Sequence, residues 1–299
     1  IFRSEAMEIL VLGSKGQLGL CLADQLADSD YSVDYASRSE IDISDFVLTS
    51  KKLISLRPDI LINSAAYTAV DKAEEDQETA TRVNHLAVLN IANTCKAIDC
   101  LLIHISTAYV FDGVSTQPYR ELDKTNPQGV YGLSKLQGEH GIQSSGCKHI
   151  IIRTGWVFSE YGTNFVKTML TLGDARDIIS VVGDQVGCPT YAQDIAKTIV
   201  LIIENINGGN GYFGVYNYCG NTTCSWYEFA RTIFDRAGKY KFSTPESLKS
   251  ILTSEYPTLA ARPKYSVLDC HKIEKNFGVE PSNLKAGIDR MLEALVIPN

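Results

Sequence analysis

Tyr131 and Lys135 stand four residues apart in the stretch VYGLSKLQGE, residues 130–139. On a helix that spacing puts both side chains on one face, one turn apart. A tyrosine alone is a poor acid–base group, with a free pKa of about 10. A neighbouring ammonium favours the phenolate and is expected to draw that pKa toward neutrality. Upstream, HISTAYVF supplies Ser106 and Thr107, two hydroxyls that could hold a carbonyl oxygen. Thr107 precedes Tyr131 by 24 residues, room for a strand end, a loop and one helical turn. Hydroxyl, phenol and amine in that order suit reduction of a carbonyl, in which hydride reaches carbon while a proton is delivered to oxygen.

Hydride needs a carrier, and LGSKGQLG places Gly13, Gly16 and Gly19 between a first apolar run and a first amphipathic one. A side chain there would block the tight turn and hold a pyrophosphate away from backbone N–H groups at the helix N-terminus. The spacing is G-x-x-G-x-x-G, and its position after the first strand points to a dinucleotide. At the end of the second strand, where an acidic residue would favour NAD, stand Ser37 and Arg38. Arginine can pair with a 2′-phosphate, so the expected cofactor is NADPH, with NADH as the alternative. Asp42 and Ile43 follow where the chain should pass the adenine, Ile43 offering an apolar face. NSAA, 63–66, ends the third strand with small residues, Ala65 and Ala66 among them, that leave room for a cofactor across the sheet edge.

These groups need a scaffold. EILVLG, YSVDYAS, DILINSA, LLIHIST and HIIIRTG read as strands, separated by the helices GQLGLCLADQLAD, DFVLTSKKLISLR, one long helix over 76–99, and the helix of Tyr131. Apolar strands alternating with helices predict an α/β fold, a doubly wound parallel sheet of Rossmann-like type. After about Trp156 the rhythm changes to helices joined by Gly-, Pro- and Asn-rich loops, with short strands at IISVV and GVYNYCG. We therefore expect a dinucleotide-binding domain over 7–157 and a smaller, mostly helical substrate lobe over 158–299, with elements in roughly 179–215 returning to the first. Residues 1–6 read as an expression leftover before Met7.

The net charge of -7 argues against a nucleic-acid surface, and no apolar run is long enough to cross a bilayer. Eight cysteines without a C-x-x-C pair suit reduced thiols in the cytoplasm, and the five histidines show no ligand spacing, so no metal is expected.

The segments GSKGQLG, RPDILINSAAYTAVDKAE, STAYVF, VYGLSKLQGE, RTGWVF, NFVKTML, DQVGCPT and ARPKYSVLD occur in an order that resembles the extended short-chain dehydrogenase/reductases, and among them the dTDP-4-dehydrorhamnose reductase group. The resemblance covers nearly the whole chain. It implies NADPH-dependent reduction at C4 of a dTDP-linked 4-keto-6-deoxy sugar, the last step of dTDP-rhamnose synthesis for surface polysaccharide, by a cytoplasmic enzyme that forms a homodimer. It makes Tyr131 the proton donor, Lys135 the partner of the nicotinamide ribose and Thr107 an aid at the substrate oxygen. Gly16, Gln17 and Leu18 would lie under the pyrophosphate, Asp42 and Ile43 near the adenine, and Ala66, Tyr67 and Thr68 along the cofactor. Trp156 would pack on the sugar, with Tyr109 nearby, and Asn164 and Arg262 would hold the diphosphate.

The chain departs from the pattern where Ala108 follows Thr107 in place of a common aspartate, and where Tyr67 replaces a common histidine. Ala108 is expected at the edge of the sugar pocket, one polar contact short. Gln193 stands where some relatives carry an acidic residue at a Mg²⁺-linked dimer contact, so metal dependence is not carried over. Two other readings stay open: a related sugar-nucleotide reductase or epimerase, and a non-catalytic cofactor-binding regulatory subunit like that of methionine adenosyltransferase. Thr107, Tyr131 and Lys135 together count against the second.

Overall fold

The computed structural model describes residues 6–296, so all but Ala6 of the segment read as an expression leftover lies outside the described residues. Among the described residues twelve strands run in chain order as β1 (Glu8–Leu12), β2 (Ser32–Ala36), β3 (Ile60–Asn63), β4 (Leu101–Thr107), β5 (His149–Thr154), β6 (Val157–Phe158), β7 (Ile178–Val182), β8 (Val186–Gly187), β9 (Thr190–Tyr191), β10 (Gly214–Asn217), β11 (Cys224–Ser225) and β12 (Ser247–Ile251). The α-helices are α1 (Gln17–Leu26), α2 (Phe46–Leu56), α3 (Val70–Glu75), α4 (Gln77–Thr81), α5 (Ala87–Ile98), α6 (Val130–Ser145), α7 (Phe165–Ala175), α8 (Ala192–Asn207), α9 (Trp226–Ala237), α10 (His271–Phe277) and α11 (Leu284–Val296).

Six strands form one parallel sheet in the order β10-β5-β4-β3-β1-β2. Alternation along each strand divides its apolar residues between the two faces. Ile9, Val11, Ile60, Ile62, Ile103 and Ile152 enter one core, while Leu10, Leu12, Leu61, Leu102 and Ile151 enter the other. Burial on both faces explains why these strands read as continuous apolar runs. Successive strands step outward in opposite directions from β1, which pairs with both β2 and β3. A crevice opens at such a reversal, outside the carboxyl ends of the strands.

The long helix expected over 76–99 is broken. α4 and α5 are joined by a π-helical turn, Arg82–Leu86, and α3 precedes them. The turn carries Asn84 inward, where its amide accepts the Tyr67 N–H (2.9 Å) and donates to the Tyr67 carbonyl (3.0 Å) and Ser134 Oγ (3.1 Å). Helix α6 lies so close that a Cβ on Gly138 would overlap the Asn84 carbonyl. Tertiary satisfaction of one amide thus overrides helical periodicity.

Beyond β5 the chain splits its elements. β10 extends the main sheet beside β5, and α8 packs on α1. β7 pairs instead with β12, and with α7, α9 and α11 it surrounds a separate core that includes Phe158, Met169, Phe229, Ile233 and Met291. The Ser225–Glu228 capping box fixes the start of α9. No helix among the described residues is long and apolar enough to cross a membrane.

Candidate active site

A cleft of about 850 Å³ runs across the carboxyl ends of β1, β3, β4 and β5 toward the smaller lobe. Its floor at one end is the glycine loop. Gly13 has φ +77°, a left-handed backbone, and a Cβ there would come within 2.7 Å of the Ala65 N. Gly16 caps α1 with no side chain, and Gly16, Gln17 and Leu18 line the cleft beside first-turn N–H groups that have no acceptor within the helix. Gly19 lies beneath the loop, where a Cβ would overlap the Gly13 carbonyl, so it allows close packing without meeting a ligand. This cradle fits a dinucleotide pyrophosphate.

Arg38, Asp42 and Ile43, expected near the adenosine, line the cleft beside the glycine loop, joined by Lys15, a cation that the motif reading passed over. The Arg38 side chain is 81% exposed, and its Nε donates to Asp42 Oδ2 at 3.1 Å. Ser37 is a correction. It is buried, and its hydroxyl is spent on Glu40 (2.7 Å) and Ser39 (2.8 Å), whereas Arg38 lines the cleft. Glu40 also accepts the Ser37 N–H. Ala65, Ala66, Tyr67 and Thr68 follow along the wall.

At the far end Thr107, Tyr109, Tyr131, Lys135 and Trp156 face one space. Thr107 Oγ1 accepts the Tyr109 N–H (3.1 Å), and the Tyr109 ring meets Tyr131 edge-on at 6.0 Å. The expected tuning of Tyr131 by Lys135 is not found. Burial pushes the phenol up to about 12, with the Thr107 hydroxyl pulling the other way. The Lys135 amine turns toward β4, donating to the Ile105 carbonyl (2.6 Å) and meeting His104 Nε2 at 3.1 Å. Burial lowers Lys135 itself to about 8, opposed by the Glu139 charge. Ser106 is also committed, because its hydroxyl donates to Glu139 Oε1 at 2.5 Å and cannot donate to a substrate oxygen.

Three expected substrate contacts lie off the cleft. Ala108 is 1% exposed, because the chain leaves β4 in a 3₁₀ turn, Ala108–Val110, that packs the methyl into the core. Asn164 caps α7 by accepting the Lys167 N–H, and its Nδ2 donates to Ser159 O (2.7 Å) and Gln17 Oε1 (3.0 Å). Arg262 pairs with Asp71 at 2.6 Å, an ion pair spanning 191 residues. Gln193 bonds the carboxylates of Asp24 (2.5 Å) and Glu160 (2.9 Å).

Trp156 takes φ +51°, strained for a tryptophan, and its ring stacks on Trp226 with centroids 3.5 Å apart. Trp226 lines the cleft and was missed, although it is the second of only two tryptophans and follows a capping Ser. Thr154 was missed as well. It lines the same wall, and its buried Oγ1 has no hydrogen-bond partner among the described residues.

The chain is similar to known proteins over nearly its whole length. A dTDP-4-dehydrorhamnose reductase of Aggregatibacter actinomycetemcomitans is 43% identical over 92% of this chain and 95% of its own. The crystal structure of a dTDP-4-dehydrorhamnose reductase from Clostridium acetobutylicum superposes with a TM-score of 0.91 at 35% identity, covering 97% of this chain and all of its own. A Bacillus anthracis dTDP-4-dehydrorhamnose reductase, solved in complex with NADP, gives 0.88 at 33% identity over the same shares. The family model described as the RmlD substrate binding domain matches residues 7–297, and the chain belongs to that family.

Proposed function

We propose that the protein reduces the C4 keto group of dTDP-4-dehydro-L-rhamnose to give dTDP-L-rhamnose, with NADPH as hydride donor, completing dTDP-rhamnose synthesis for surface polysaccharide. The observation that carries this reading is the meeting of Thr107, Tyr131 and Lys135 with the glycine loop in one cleft, in a chain whose relatives bear that activity in their names. When bound, the reduced nicotinamide supplies the hydride. Tyr131 supplies the proton: with its pKa pushed up by burial, it enters as a neutral phenol at any physiological pH. Thr107 orients the oxygen that receives it. Lys135, at the same wall, holds the nicotinamide ribose. Trp156 and Trp226 offer the sugar an apolar face beside Tyr109. We place the enzyme in the cytoplasm, the compartment that suits eight buried, unbridged cysteines.

Incubation with dTDP-4-dehydro-L-rhamnose and NADPH, with the product's C4 configuration read by NMR, tests this. The rhamno product supports the reading, and its C4 epimer or no product overturns it. Cofactor choice gives a second test. Arg38 at the mouth of the adenosine end should favour NADPH over NADH in kcat/KM. Arg38→Ala should narrow that preference roughly tenfold, the loss of one charge-assisted contact at an exposed site. Equal use of both cofactors by the parent chain, unchanged in the variant, contradicts the assignment.

A further inference from the structure

Behind Lys135 lies a buried hydrogen-bond chain that the mechanism above does not use. Asn63, at the end of β3, and His104, in the middle of β4, are both fully buried, and Lys135 is 2% exposed. Asn63 Oδ1 accepts the Ala65 N–H at 3.1 Å, on the cofactor wall. That donor fixes the amide, so Asn63 Nδ2 is the atom that meets His104 Nδ1 at 3.1 Å, and it donates. Nδ1 therefore accepts. A neutral imidazole then carries its proton on Nε2, which faces Lys135 Nζ at 3.1 Å. An ammonium has no lone pair with which to receive it.

The hydrogens can be counted. With Lys135 as a neutral amine every contact joins one donor to one acceptor: Ala65 to Asn63, Asn63 to His104, His104 to Lys135, and Lys135 to the Ile105 carbonyl. With Lys135 as an ammonium one hydrogen is in excess. Changing the tautomer of His104 and flipping Asn63 only moves the clash along the chain to the Ala65 N–H. His104 cannot absorb the excess by becoming a cation, because both ring nitrogens would then donate to donors, and burial beside the lysine already holds its pKa well below the ordinary range.

We propose that His104, held by Asn63, is a positioning residue that weakens the proton affinity of Lys135 and aims its amine, linking the charge of the lysine to the cofactor wall at Ala65. The inference rests on the reading of Lys135 as a cofactor-site residue. The other titratable or charged groups around the lysine are accounted for. Tyr131 and Glu139 share its helix, and Glu139 is held by Arg153 of β5 and Ser106 of β4. Glu74 of α3 accepts the Val130 N–H at the start of α6, and His85 lies beside His140 near the helix's other end. None of these supplies an acceptor to Lys135 Nζ.

Two near-isosteric variants test the chain by different routes. His104→Gln can turn an amide oxygen toward Lys135. Asn63→Asp makes Nδ1 donate, so that Nε2 accepts. Each should raise the Lys135 pKa by roughly one to two units, about 10–100-fold in proton affinity. The readout is NMR of protein labelled with nitrogen isotope in lysine and histidine, with Lys135→Arg to assign the lysine signal. The parent chain should show His104 neutral, protonated on Nε2, and responding as Lys135 titrates. The limb of the kcat/KM pH profile that belongs to Lys135 should move with it. His104 protonated on Nδ1 in the parent chain, or a Lys135 titration unmoved in folded variants of both kinds, overturns the proposal. The NMR titrations need neither substrate nor cofactor, so a failed reductase assay would count against the function above and leave this inference to be judged by itself.

Discussion

Tyr131→Phe is expected to fold, to bind NADPH as the parent chain does, and to lose ~10²–10⁴-fold in turnover of the keto sugar. The substitution removes one oxygen and keeps the ring that meets Tyr109 edge-on at 6.0 Å, so the wall of the cleft is preserved. The deleted group is the phenol that faces the cleft, and two neighbouring donors are committed elsewhere. Ser106 donates to Glu139, and Lys135 donates to the Ile105 carbonyl. With the phenol pushed up to about 12 by burial, the acid form persists through neutral pH. An alkaline loss of activity well below that value therefore belongs to another group, and Lys135, lowered to about 8, is the candidate. Cofactor fluorescence and NADPH oxidation measured side by side check the result. Turnover equal to that of the parent chain removes Tyr131 from the mechanism.

A comparably large effect, on stability, is expected from Glu139→Ala. The Glu139 and Arg153 side chains are only 1% and 5% exposed, and they meet through Nη2 (2.6 Å) and Nε (3.0 Å). Glu139 also accepts from Ser106, so one carboxylate ties α6 to β4 and β5 directly behind the cleft. Removing it leaves a buried guanidinium with the Glu121 carbonyl as its remaining partner (3.1 Å) and the Phe111 ring below it. Breaking such a pair costs ~3–5 kcal/mol, which should lower the melting temperature by roughly 5–15 °C. Pairing Glu139→Leu with Arg153→Met should recover much of the loss, because the cost lies in the stranded charge. A Glu139→Ala variant that melts within about 2 °C of the parent contradicts this.

The sheet and the glycine loop were legible in the sequence because their signals are local. Runs such as LLIHIST need only be buried on two faces, and Gly13 needs only a turn that no other residue makes as readily. The errors occur where a side chain answers to distant parts of the chain. Tyr131 and Lys135 do share a helix face, but the lysine is turned by His104 and Ile105, some 30 residues earlier. His104 read as one more residue in an apolar strand, since its partners come from β3 and α6. Ala108 was expected at the edge of the sugar pocket because it follows Thr107 at the strand end, where the backbone in fact turns. Asp71 claims Arg262 across 191 residues, a pairing that no local pattern announces.

The central claim is most directly tested by NADPH oxidation with dTDP-4-dehydro-L-rhamnose beside GDP- and UDP-linked 4-keto sugars under one set of conditions. The account predicts the highest kcat/KM with the dTDP-linked sugar. Preference for another nucleotide sugar, or no oxidation with any of them, would contradict it.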